Sequence, residues 1–258
     1  MNYVDTHAHL YKEYYPNDFH EVLHRAVEAK VTQVILPCVN SQSIPDIMEA
    51  VSQYPDHLFP LIGIHPSDIT SDYKQELSFL KGFLNNPEVV GVGEVGLDLY
   101  HNREFLKEQE DAFDTQLQWA LEYQFPLSIH IRNAYDEAFA ILKQYKNRGL
   151  KGVLHCFSGG IQEARWAIDF GFKLGIGGVV TFKKNKLEMI VKEIGLEHVV
   201  LETDAPFLAP DPFRGKQNES AYIPLIAERI ASIFEIPVEE VMRVTTLNAW
   251  SVFERLRP

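Results

Sequence analysis

The chain has 258 residues, 46% hydrophobic and 23% charged, which is enough apolar material for a large α/β core and excludes a disordered chain. Twenty-four basic against 36 acidic residues leave a formal charge of -12, which argues against a protein that coats duplex nucleic acid with a basic face. Any nucleic-acid substrate must be gripped locally, against an unfavourable global field.

Apolar runs of strand length alternate with segments of helical period. In chain order, the pattern predicts a strand over 3–7, a helix over 19–30, a strand over 33–39, a helix over 44–54, a strand over 59–64 and a helix over 75–84. It continues with a strand over 89–94, a helix over 108–123, a strand over 126–131, a helix over 135–146, a strand over 152–156 and a helix over 162–170. Strands over 172–177 and 198–204 flank a helix over 187–194. The clearest helix is 223–234, with Ile223, Ile226, Ala227, Ile230 and Phe234 on one stripe. A last helix over 237–253 opens with Pro237, Glu239 and Glu240, a sound helix start. Eight βα units in one domain, 1–258, predict a TIM (β/α)₈ barrel; an open doubly wound sheet is the alternative that the same alternation fits. Cys38 and Cys156 are too few for a disulfide framework and read as reduced packing residues, Cys156 facing the helices. MNYVDTHAHL lacks the basic and apolar blocks of a signal peptide, and no apolar run approaches the roughly 18 residues that span a bilayer. A cytoplasmic protein with no membrane contact is expected.

The groups that bind metal fall at the ends of these strands. His7 and His9 end the first, His65 the third, Glu94 the fourth, His130 the fifth, His155 the sixth and Asp204 the eighth. In a barrel those ends share one rim, where active sites form. Alternation sets Asp5, His7 and His9 on one face, Ser128, His130 and Arg132 on another, and Glu202 with Asp204, while Val4, Ile129, Ile131 and Leu201 point to the helices. Singly, each polar residue reads as well as a core histidine or a loop carboxylate. Together, six such groups in apolar runs are costly unless coordinated. Four imidazoles and two carboxylates exceed the needs of one tetrahedral zinc and suit two divalent ions about 3.5–4 Å apart, with Glu94 between them. Mixed N/O donors fit Zn²⁺, Mn²⁺ or Mg²⁺.

At these residues the sequence resembles the TatD family of metal-dependent deoxyribonucleases, within the amidohydrolase superfamily. The resemblance runs nearly end to end, through VDTHAHL, GIHP, GEVGLD, SIHIRNA, HCFSG, LETDAPFLAP, RGKQNES and TTLNAWSVF. It implies that His7 and His9 hold one metal, Glu94 bridges, His130 and His155 serve the second metal, and Asp204 contacts a metal and the attacking water. Glu202 and His65 are accessory by the same resemblance, and the substrate it implies is DNA. The chain departs from the family pattern at Asn133 and Ala205, where Asp and Ser are common.

The expected chemistry is hydrolysis of a phosphodiester by a water that Asp204 deprotonates, with Glu94 as the second catalytic carboxylate. Arg132 is a candidate fork for the phosphate, and Arg214 and Lys216 after the eighth strand are candidate substrate contacts, as are His65 and Glu202. Lys183, Lys184 and Lys186 read as a solvated run. Phe207 and Phe213 could stack on bases or pack their loop. Two other functions fit the residues: hydrolysis of another ester or amide, such as an aminoacyl ester, and a non-catalytic metal-binding barrel. A monomer is compatible with the sequence.

Overall fold

The computed structural model describes residues 2–256. Eight parallel strands are hydrogen-bonded in sequence order: β1 (Tyr3–Asp5), β2 (Val31–Leu36), β3 (Leu58–Ile62), β4 (Gly91–Asp98), β5 (Leu127–Arg132), β6 (Gly152–Leu154), β7 (Lys173–Ile176) and β8 (Val199–Leu201). Strand order reverses in a doubly wound sheet and does not here, so that alternative falls. The sheet closes just past β1 and β8. Thr6 N donates to Leu201 O at 3.0 Å, Asp204 N to His7 O at 2.9 Å, and His9 N to Ala205 O at 2.7 Å. The fold is a TIM barrel.

Helices α1 (Phe19–Glu28), α2 (Ile44–Gln53), α3 (Tyr73–Lys81), α4 (Leu106–Tyr123), α5 (Tyr135–Lys143), α6 (Ile161–Phe170), α7 (Leu187–Ile194) and α8 (Ile223–Phe234) follow their strands, and α9 (Val238–Val252) is appended. Each expected helix is present with small end shifts. Most strands stop short of the polar groups placed at their ends, because the chain there leaves the sheet to form the rim loops. β4 and β5 are the exceptions: β4 runs four residues past Glu94, to Asp98, after a register shift between Val92 and Val95, and β5 runs two residues past His130, to Arg132.

The strands bury both faces. Outward residues such as Val34, Leu36, Val95, Leu97, Ile129, Ile131, Leu174 and Leu201 pack under the helices. Inside, Val4, Ile35, Leu61, Val153 and Val200 form an apolar layer with Ala249, Val252, Phe253 and Leu256. Thus α9 and the turn after it seal the end of the barrel opposite the rim. Each fully buried side chain of this kind contributes about 1.5–3 kcal/mol. Gln33 ties the seal, donating to Leu256 O at 2.6 Å and accepting from Trp250 Nε1 at 2.8 Å.

This layer corrects the alternation expected for β1. Val4 points into the barrel, and Asp5 does not share a face with His7 and His9. β1 ends at Asp5, whose Oδ1 accepts from His7 N at 3.2 Å, and this short link turns His7 back into the mouth. The Asp5 carboxylate also accepts from Thr203 N at 3.0 Å and Thr203 Oγ1 at 2.6 Å, stapling the seam between the first and last strands.

Candidate metal centre and cleft

Above the apolar layer, six of the expected residues meet. Glu94 is at their centre and faces two ways. Its Oε2 lies 3.2 Å from His7 Nε2 and 3.7 Å from His9 Nε2, while its Oε1 lies 2.7 Å from His155 Nε2, 3.0 Å from His130 Nδ1 and 3.3 Å from His65 Nε2. Asp204 Oδ1 is 3.7 Å from Nε2 of both His7 and His9. Three overlapping triads each bring their donor atoms within 4.8 Å of one another: His7, His9 and Glu94; His65, Glu94 and His130; His7, His155 and Asp204. His65, expected only as an accessory group, stands as close to Glu94 as the others.

The rings are held from behind. His7 Nδ1 is 3.0 Å from Ser128 Oγ on β5, and His9 Nδ1 is 3.2 Å from the Tyr11 hydroxyl. Both contacts leave Nε2 toward the cluster, as a ligand imidazole requires. His130 is held at Nε2 by Asp98 Oδ2 at 3.1 Å, so its Nδ1 faces Glu94. Among the described residues, His155 Nδ1 makes no hydrogen bond; it faces Glu202 Oε1 at 3.8 Å, an oxygen that accepts from Cys156 N. Asp98 and its partner His101 went unnoticed in the sequence. Parity along the extended strand, Glu94, Gly96 and Asp98, was the signal, and ending the strand at Glu94 hid it. Gly96 has φ +137°, and a Cβ there would fall 1.9 Å from His130 O, so β4 can lie against β5 at this level only with glycine.

Burial sets the electrostatics. Desolvation pushes the Asp204 carboxyl up to about 7; the His7 charge opposes this and the Glu94 charge adds to it. Glu202 is also raised, by burial and then by Asp204. Burial acts against the ionised form of Glu94, yet the surrounding His155, His65 and His7 hold its carboxyl well below the usual range. For His130, burial disfavours the proton, but hydrogen bonds to Asp98 and Glu94 win and bring it up to about 9. His7 Nε2 is buried without a hydrogen bond, and two carboxylates face it. An orphaned imidazole nitrogen beside buried carboxylates is costly alone. A divalent cation removes that cost, so the residues present fit a metal.

A cleft of about 560 Å³ opens over the cluster, lined by His9, His65, Glu94, His130, His155 and Asp204. Its outer walls carry Tyr14, His101, Arg132 and Phe207. Arg132 lies over the Tyr100 ring at 4.0 Å. His101 Nδ1 lies 2.8 Å from Asp98 Oδ2. Phe207 is 48% exposed, whereas Phe213 stacks on Tyr222 at 4.4 Å and packs its loop. Three expected substrate contacts are not in this cleft. Glu202 is fully buried behind His155, and Arg214 and Lys216 lie outside, over Phe182 and Phe213. Cys156 also differs from expectation. β6 ends at Leu154, the backbone at Cys156 is left-handed (φ 45°), and the residue lines a second cavity at the rim. Asn133 is exposed and Ala205 is buried in the seam, so neither stands among the clustered donors.

Among the described residues, no helix is long and apolar enough to cross a membrane. Residues 4–254 match the family model of TatD-related DNases. The chain is 38% identical to the uncharacterized metal-dependent hydrolase YabD of Bacillus subtilis, covering 96% of this chain and 98% of that one. It is 32% identical to a protein of Salmonella typhimurium named the 3'-5' ssDNA/RNA exonuclease TatD, covering 97% of this chain and 98% of that one. The crystal structure of the TatD homologue YJJV from Escherichia coli superposes with a TM-score of 0.90 at 27% identity, with 98% of each chain covered. The chain therefore belongs to the TatD-related DNase family of metal-dependent hydrolases.

Proposed function

We propose that this protein hydrolyses phosphodiester bonds in DNA at a pair of divalent ions, Zn²⁺, Mn²⁺ or Mg²⁺. The observation that carries the reading is the division of Glu94, one oxygen toward His7 and His9 and the other toward His130 and His155. A carboxylate so placed, with Asp204 beside the first pair, has the donors of two adjoining sites. Related amidohydrolases often bridge their metals with a carboxylated lysine on this strand; here Glu94 takes that position, which favours the nuclease over amide or aminoacyl-ester hydrolysis. Retention of every expected donor argues against a non-catalytic barrel. The name of the Salmonella relative supports a nucleic-acid substrate and brings RNA into the assay. Two free cysteines suit a reducing compartment, and we assign the protein to the cytoplasm.

When bound, divalent ions supply Lewis-acid charge to a phosphoryl oxygen and make a nearby water more acidic. The protein's own groups do the rest. Arg132, on the cleft wall, binds a non-bridging phosphate oxygen, and the aromatic faces of Tyr14 and Phe207 receive bases. Asp204 opens on the cleft with 16% side-chain exposure; it orients the attacking water and takes its proton. A water oxygen joins phosphorus, one P–O ester bond breaks, and the leaving oxygen takes a proton from solvent.

The test is digestion of end-labelled single- and double-stranded DNA and RNA with each metal, before and after chelation. Asp204→Asn should cut the rate by about 10²–10⁴-fold while metal content, read by mass spectrometry, falls little. Full activity in that variant refutes the base assignment. Absence of metal-dependent cleavage of every polynucleotide refutes the function.

A further inference from the structure

The second rim cavity holds about 290 Å³, half the volume of the cleft, and is more enclosed. It lies between the loop after β6 and the segment joining β7 to α7. Phe157, Gly177, Gly178, Val179, Leu187 and Leu208 form its mostly apolar walls. The two cavities share two residues, Asp204 and Leu208. The group assigned to the attacking water is thus the partition between an open cleft and a small apolar pocket.

We infer that this pocket seats the base of the one nucleotide that leaves in each cycle, an inference that rests on the phosphodiesterase reading. A phosphodiester with its phosphorus at Asp204 has two nucleoside arms, which leave the phosphorus in different directions and need separate places, and Asp204 borders two cavities. The cleft, with Arg132, Tyr14 and Phe207 on its walls, suits the arm that continues as a strand. The pocket suits the other arm. Its volume stands at the low end for ligand sites and takes a single base, not a strand. Apolar walls accept the face of any base, whereas a paired base cannot enter. The outer wall is tightly built: a Cβ on Gly178 would lie 2.3 Å from Leu208 O and 2.9 Å from Pro210 N, so the loop after β8 lies directly on that glycine. Lys186 borders the pocket and is exposed, placed to meet the sugar or phosphate of the same nucleotide.

The experiment compares single-stranded oligonucleotides that end, at either terminus, in an ordinary nucleotide or in an abasic residue. The wild-type protein should release the ordinary terminal nucleotide roughly tenfold or more faster than the abasic one. Val179→Trp and Ser158→Trp fill the pocket from different sides; both positions are on its lining and not fully buried. Either variant, shown by its melting curve and metal content to be folded and loaded, should cut release of the ordinary nucleotide to near the abasic rate. Adenosine 5'-monophosphate should inhibit the wild type and lose at least tenfold in potency against the filled variants. Equal rates on both ends in the wild type overturn the inference, as does full discrimination in a folded, filled variant or initial products longer than one nucleotide. Each of those results leaves the nuclease intact. Failure to cleave any oligonucleotide instead removes the phosphodiesterase reading, and the subsite with it.

Discussion

Replacing Gly175 with alanine tests how the site is braced. Gly175 lies on β7 and faces the barrel interior. An added Cβ would stand 2.1 Å from Glu202 Oε2 and 2.6 Å from its Cδ. Neither atom can remain, because both distances are far below ordinary van der Waals contact, so the carboxyl group must move or the strand must shift. Glu202 is fully buried and accepts from Cys156 N, so displacing it leaves a buried donor unpaired, at about 1–3 kcal/mol. Glu202 Oε1 is also the group behind His155 Nδ1. Loss of such an outer partner typically weakens metal binding by about 10–100-fold. Calorimetric titration with Zn²⁺ or Mn²⁺ should therefore show weaker binding in Gly175→Ala, and the metal-free protein should melt lower. Wild-type metal affinity and melting temperature together would show that Glu202 braces nothing.

Three further predictions follow from other parts of the site. Asp5→Ala removes the acceptor of three donors, His7 N, Thr203 N and Thr203 Oγ1, and should destabilise the protein by about 3 kcal/mol or more in denaturant unfolding; a cost below about 1 kcal/mol would deny the seam its staple. In metal-free protein, His130 rises on folding from 6.5 to about 9, so the stability it contributes is full below about pH 6.5 and fades as pH climbs through about 9. Asp98 is lowered, despite burial, by its bonds from His130 and His101, so its share is lost instead as pH falls. Melting curves of wild type and Asp98→Asn should differ most at about pH 5–6.5 and converge as pH climbs through about 9, and a constant offset from pH 5 to 10 would contradict the pairing. Finally, Arg132→Ala should slow cleavage more than the pair Arg214→Ala and Lys216→Ala, because only Arg132 lines the cleft. The outer pair should act through the salt dependence of DNA binding, flattening its slope; equal effects on cleavage would erase that distinction.

Much of the site was legible before any coordinates because barrel strands deliver their C-terminal ends to one rim. Once His7, Glu94, His130, His155 and Asp204 stood near such ends, convergence followed from topology, and their order and spacing carried the family resemblance. Alternation also placed Ile129, Ile131 and Leu201 outward, as found. It failed where the backbone leaves regular extended geometry. The turn at Asp5 reversed β1, and left-handed backbone at Cys156 took that residue away from the helices, whereas Asp98 was hidden because the expected strand ended at Glu94, four residues short.

Sequence alone thus determined the chain of βα units and the candidate donor set, because hydrophobic period and residue chemistry are local properties summed along a line, while the strand order decided for the barrel over the open sheet. Only the tertiary structure decided which oxygen of Glu94 faces which histidine, that Asp98 and Glu202 stand behind the rings, and that Asp204 divides two cavities. Those relations join residues up to two hundred positions apart. They depend on distances of about an ångström, set by how strands β4 to β8 pack against one another and by where each one ends.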